Sequence, residues 1–243
     1  MGRSARPARL RGAGQIAPGV PALPRLADGQ GTAAVINEAL RQGDEAVGAA
    51  LAACLRGNTD APGPPAYWKR EIRVTLRGVR YLGIVETDDT YCGGAHGARW
   101  TKPWVFDLRT GSLVDWRRVL PPGWAAETRE EQAWQGIEVN TVLSGPLREA
   151  YRRRYALALN RLPASVRAGC RNAISEAGAF VLWPTARDDG LAVQAAGLPS
   201  AVSVCALAVT IGVPALRGLG ADPELVGDIE AAHARTKAVR PTP

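Results

Sequence analysis

The sequence is short of several things, and each shortage excludes a class of protein. No run approaches the roughly 18 consecutive apolar residues that a membrane-spanning helix requires. No two cysteines form a CxxC pair, and structural zinc sites ordinarily show such close pairs. The motifs GxSxG, HExxH and the phosphate-binding P-loop are all missing, so no recognisable nucleophile, metalloprotease or nucleotide signature is present. Histidine occurs twice and lysine three times (Lys69, Lys102, Lys237), so arginine supplies the rest of the 30 basic residues. Arginine in place of lysine, alongside abundant alanine and glycine, reads as compositional bias and is not a functional signal. No secretory leader is legible either: residues 1–26 are basic, but no apolar stretch follows them.

The 243 residues are 46 % hydrophobic and 22 % charged. That is the balance of an ordinary globular chain, long enough for a substantial core. A net charge of +7 invites a nucleic-acid reading. Its distribution argues against one, because Arg3, Arg6, Arg9, Arg11 and Arg25 carry most of the excess in a stretch without a single acid. The middle of the chain has a weak electrostatic footprint. Four dispersed cysteines (Cys54, Cys92, Cys170, Cys205) fit two disulfides in an oxidising compartment. Four buried thiols in a reducing one are the alternative.

Along the chain, residues 1–26 read as a flexible basic arm, with 19–26 able to lie along a sheet edge where proline is tolerated. Residues 32–55 carry Ile36, Leu40, Val47, Leu51, Cys54 and Leu55 at helical spacing, with Thr32 as N-cap and Gly43-Asp44 as a possible break. From Tyr67 the period changes to two. Ile72, Val74 and Leu76 face one way, and Glu71, Arg73, Thr75 and Arg77 the other. Strands over 79–87 and 99–108 flank a loop through Cys92-Gly93-Gly94-Ala95-His96-Gly97. Asp115 caps a short helix, and residues 123–143 are read as poorly patterned helix. Ser144-Gly145-Pro146 opens a clear helix whose outer face holds Arg148, Arg152, Arg153 and Arg154, a solvated face in the plain reading. Strands follow at 179–183, 191–195 and 202–211, then a short helix and a tail over 221–243. Segregated helices and strands make the class α+β, a mainly antiparallel sheet packed against helices in one domain over 27–220.

Residues 87–123, TDDTYCGGAHGARWTKPWVFDLRTGSLVDWRRVLPPG, carry a resemblance. An aromatic-x-GGAH loop between strands, then FDLRTG and a short capped helix, resembles the extracellular domains of lysozyme-sensing anti-sigma factors of the RsiV type. It is also similar to the module before the catalytic domain of some peptidoglycan deacetylases. The likeness extends over about 22–220, through AFVLW, the DDGL turn and VPALRGL. It implies a periplasmic or secreted sensing module without chemistry of its own, its partner a lysozyme-like protein or peptidoglycan. No membrane span, sigma-binding segment or deacetylase domain accompanies it in this sequence, so the module is expected alone, with no cofactor, no metal and no nucleic-acid partner.

The candidate ligand-binding residues are Gly93, Gly94 and His96 of the loop, with Trp100 and Trp104 four apart on one strand face. Such a glycine-rich loop exposes amide groups to an anion or carbonyl, or is a tight connection fixed by sterics. Exposed tryptophans bind sugars and proteins, whereas buried ones simply pack. The competing enzymatic reading is a cell-wall hydrolase or lyase that uses His96 with Asp88 or Asp89. Placement of the cysteines pairs Cys54 at the end of the first helix with Cys92 at the loop. Cys170, before the last sheet, then pairs with Cys205 within it.

Overall fold

The computed structural model describes residues 6–57, 64–134 and 136–239. It is an α+β fold in which every strand pairing among the described residues is antiparallel. The entry to the chain differs from the expected arm. β1 (Leu10–Arg11) pairs with β4 (Arg25–Leu26), and β2 (Gln15–Ala17) with β3 (Val20–Pro21). Leu23 and Leu26 are buried. Strands this short cannot satisfy their own backbone, so side chains of the next helix do it. Asp44 accepts from the Leu23 amide at 3.1 Å, and Asn37 accepts from the Leu26 amide at 2.7 Å.

α1 (Thr32–Gly57) runs unbroken through Gly43-Asp44. Gly43 is there for contact rather than termination, because a Cβ at this position would lie 2.5 Å from the Trp104 ring. Beneath α1 lies a three-stranded sheet of β5 (Tyr67–Arg77), β6 (Tyr81–Tyr91) and β7 (Ala98–Asp107). Leu82, Ile84, Trp104 and Phe106 share the face that packs with Ile36 and Leu40 of α1. A bulge between Val74 and Leu76 breaks the expected alternation, so that Val74 is exposed while Leu76 is buried. Asp115 caps α2 (Trp116–Val119) as expected.

The stretch 123–143 departs from the helical reading. It forms β8 (Glu127–Trp134) and β9 (Ile137–Leu143), joined at Gly136, whose φ is 70°. Glutamate-rich ETREEQ suits a helix by composition. The period of two in Ile137, Val139 and Thr141, buried between exposed Glu138 and Asn140, decides the outcome. α3 (Gly145–Ala158) starts where Ser144 accepts from the Leu147 amide at 3.0 Å. α4 (Ala164–Ser175), β10 (Ala179–Thr185), β11 (Gly190–Ala195), β12 (Val209–Gly212), α5 (Val213–Gly218) and α6 (Pro223–Val239) complete the chain. The apolar run 202–211 is not one strand: Ser200–Cys205 is a 3-10 turn, and only the end of the run enters β12.

β12-β11-β10-β9-β8 form a five-stranded sheet. It stacks on the face of the three-stranded sheet that α1 leaves free, with Gln194 of β11 donating to Thr101 of β7 at 3.1 Å. Tyr151 of α3 packs on Phe180 of β10 at 5.3 Å, so the layers run helix, sheet, sheet, helix. The supposed tail is also structural. Leu225 and Ile229 of α6 are fully buried, and the Asp228 carboxylate accepts from the amides of Val79, Arg80 and Tyr81 at 2.8 to 2.9 Å. Both disulfides form, Cys54–Cys92 and Cys170–Cys205. The second joins α4 to the 3-10 turn and not to the sheet interior as expected. No helix among the described residues is long and apolar enough to cross a membrane.

Candidate functional site

The loop between β6 and β7 is held at both ends. Cys92 is tied to the last turn of α1 through Cys54. Within the loop, the Tyr91 hydroxyl donates to the Gly94 carbonyl at 3.0 Å. Gly93 and Gly94 have φ of 88° and 90°, which side-chain-bearing residues rarely adopt. A Cβ on Gly97 would sit 2.5 Å from the Thr90 carbonyl oxygen, so the loop could not close over a larger residue. Gly94, Ala95 and His96 are exposed at its tip.

Beside the loop, adjacent strands put a row of side chains on one face: Tyr67 and Lys69 of β5, Asp89 and Tyr91 of β6, and Arg99 of β7. Tyr67 and Tyr91 stack at 6.3 Å, and the Tyr67 hydroxyl donates to Asp89 at 3.1 Å. That hydrogen bond to a carboxylate, more than burial, raises the Tyr67 phenol above its ordinary value. Tyr67, Lys69 and Arg99 are exposed. Arg99 leads from this row into a cleft of about 200 Å³ between the two sheets. Trp100, Thr101, Glu131, Gln132 and Gln194 contribute to its walls.

The two tryptophans part company. Trp100 is 8 % exposed, wedged edge-on to Trp68 at 5.5 Å and stacked on Trp134 at 6.0 Å. It still forms part of the cleft wall, and its indole N–H has no hydrogen-bond partner among the described residues. Trp104 does not belong to the site. It is buried under Gly43 of α1 with the Lys102 ammonium 4.4 Å over its ring. The cause is strand length: four residues of β7 span about 13 Å, enough to carry Trp104 from the loop end to the centre of the helix contact.

His96 is not brought to either aspartate. Asp88 and Asp89 are consecutive on a strand and face opposite sides. Asp88 is wholly buried, whereas His96 is exposed, and no hydrogen bond or ion pair joins the histidine to either among the described residues. No group of three metal-ligating side chains occurs among them either.

Asp88 belongs to a charge cluster between α1 and the three-stranded sheet. Arg70 donates to Asp44 at 2.7 Å and makes a short hydrogen bond to Glu86, and its Nε is 3.9 Å from Asp88. Arg25 reaches Asp44 at 2.7 Å. Trp68 donates its indole N–H to Asp88 Oδ1 at 2.6 Å, and Oδ2 has no partner. With the terminal nitrogens of Arg70 committed to Asp44 and Glu86, Asp88 is under-solvated. Burial, then the neighbouring Glu86, pushes its carboxyl up to about 7. Lys102, across from Glu86, is lowered chiefly by burial. With no nucleophile and no exposed member, the cluster fixes α1 to the sheet. Its charges are scattered over positions 25 to 102, and only the register of β5, β6 and β7 assembles them.

No protein-family model matches the chain, and no curated protein matches it. Among solved structures it is similar to a member of the DUF3298 family from Bacteroides fragilis. The TM-score is 0.46 and the identity 13 %, over 80 % of this chain and 70 % of that one. It is also similar to a DUF3298 family protein from Pseudomonas aeruginosa, with a TM-score of 0.40 and 18 % identity over 72 % and 71 % of the two chains. Both scores lie below 0.5 and assign neither family nor activity. Neither shows an RsiV-type affiliation.

Proposed function

We propose that the chain is an extracytoplasmic binding module without catalytic activity. It recognises a cell-envelope glycan or a lysozyme-like protein through the loop 92–97, the Tyr67–Tyr91 pair and the adjoining cleft. The observation that carries this reading is Trp100, which lines the cleft and whose buried indole N–H, like that of Trp104, has no partner among the described residues. Buried donors are nearly always satisfied, and one beside a polar cleft is suited to a ligand hydroxyl or carbonyl. Stacked, partly exposed tyrosines next to Arg99 offer the amphipathic surface that sugars and protein partners use. The two disulfides agree with an oxidising compartment.

The test is titration of the full, oxidised chain with soluble peptidoglycan fragments and with lysozymes, for wild type, Trp100→Phe and His96→Ala. Phenylalanine keeps an aromatic ring and removes the donor. Loss of a hydrogen bond worth about 1 kcal/mol weakens binding roughly fivefold. Binding that is unchanged in both variants contradicts the site.

A further inference from the structure

A second groove, of about 840 Å³, lies at the other end of β5, six residues or about 20 Å along the strand from Tyr67. Four arginines from four separate elements line it: Arg73 of β5, Arg154 of α3, Arg161 of the 3-10 turn after α3, and Arg187 of the β10–β11 turn. Arg73, Arg161 and Arg187 are exposed and have no hydrogen bond or ion pair among the described residues. Arg154 is half-buried and gives one N–H to the Ala150 carbonyl at 3.3 Å.

Exposed arginines such as Arg77, Arg99 and Arg148 likewise make no ion pair among the described residues, but they stand apart from one another, whereas these four line one groove. Arg41, Arg117, Arg129, Arg153 and Arg217 each pair with a carboxylate on the same or a neighbouring element. In the groove the one carboxylate is Asp188, which is engaged with the Thr185 hydroxyl at 3.4 Å. Four guanidinium groups held around one concavity with a single carboxylate among them repel one another. An anion relieves that repulsion, and planar guanidinium forks match phosphate and carboxylate oxygens two at a time. Leu157, 76 % exposed, adds an apolar lining residue.

We propose that this groove is a binding site for a multivalent oxyanion, a ligand bearing two or more phosphate or carboxylate groups. Sequence spacing could not reveal it, since Arg154 reads there as one member of a solvated helix face, and the other three come from distant positions.

The experiment is isothermal titration of the full, oxidised chain with inorganic tripolyphosphate and, separately, with citrate, at low and at raised ionic strength. The expected result is saturable one-to-one binding that weakens with salt. Arg73→Gln and Arg187→Gln should each lower affinity by about tenfold, as loss of a charge-assisted hydrogen bond does, and Arg129→Gln should leave it unchanged. Tighter tripolyphosphate assigns phosphate as the preferred group, and tighter citrate assigns carboxylate. Arg73 and Arg187 are exposed and lie on different elements, and circular dichroism reports that each variant is folded. Absence of saturable binding to both probes at low ionic strength overturns the proposal, as does an equal loss in Arg129→Gln. The groove shares no residue with the cleft at Trp100, so failure here leaves the proposed function standing, and the reverse also holds.

Discussion

Replacing Asp88 with asparagine should make the protein more stable at pH 8 and leave it nearly unchanged at pH 4. Asp88 is fully buried, takes one hydrogen bond from Trp68, and has an oxygen without a partner. Its carboxyl is carried from 3.8 up to about 7, first by burial and then by Glu86. Well below pH 4 the carboxyl is protonated in both folded and unfolded chains and contributes nothing. As the pH rises towards 7 the unfolded chain releases the proton while the folded one keeps it, so stability falls through that window. At about 1.4 kcal/mol for each tenfold change in proton affinity, the full loss is about 4 kcal/mol, an upper value that relaxation and water entry reduce. Asparagine has the same shape, still accepts from Trp68, and does not titrate. Urea denaturation of both proteins between pH 4 and 8 measures the effect. The difference between variant and wild type should open between pH 4 and 7 in favour of the variant, other titrating groups cancelling in the comparison. A variant less stable than wild type at pH 8 would mean that ionised Asp88 is held favourably by Arg70, and the reasoning fails.

Thiol titration of the denatured, unreduced protein should find no free thiol, and reduction should then cost about 2–4 kcal/mol for each bridge of this loop length; four reactive thiols before reduction would remove both bridges. Asp228→Ala should destabilise the fold by about 2–4 kcal/mol, since it strands three backbone amides of the β5–β6 turn. If thermal unfolding shows no loss, α6 is not the clamp described above.

Much of the fold was legible because local pattern and tertiary outcome agree. The apolar stripe of α1, the period-two strands around the GGAHG loop, the Ser144 and Asp115 caps and the cysteine pairs all follow from spacing and placement. The failures have distinct physical causes. β8 and β9 were hidden by a glutamate-rich segment whose composition favours helix while its alternation favours strand. The N-terminal strands and α6 were hidden because their stability is borrowed: Asn37 and Asp44 supply partners for one, and buried Leu225 and Ile229 anchor the other. Of the candidate site, the structure puts Gly94 and His96 at the exposed tip of a glycine-shaped loop, and Trp100 borders a cleft. Trp104 could not be separated from Trp100 by spacing alone, since both share a strand face and differ only in what covers them. Tyr67, Tyr91 and Arg99 were missed because their adjacency is set by register across three strands.

Recognition by the loop and its cleft is measured by a binding titration of the oxidised full chain against purified peptidoglycan and a panel of lysozymes, followed by intrinsic tryptophan fluorescence. Saturable binding to one of these classes is expected, weakened by Trp100→Phe and abolished when the Cys54–Cys92 bridge that anchors the loop is reduced. No binding to any of them, or binding indifferent to both changes, would contradict it.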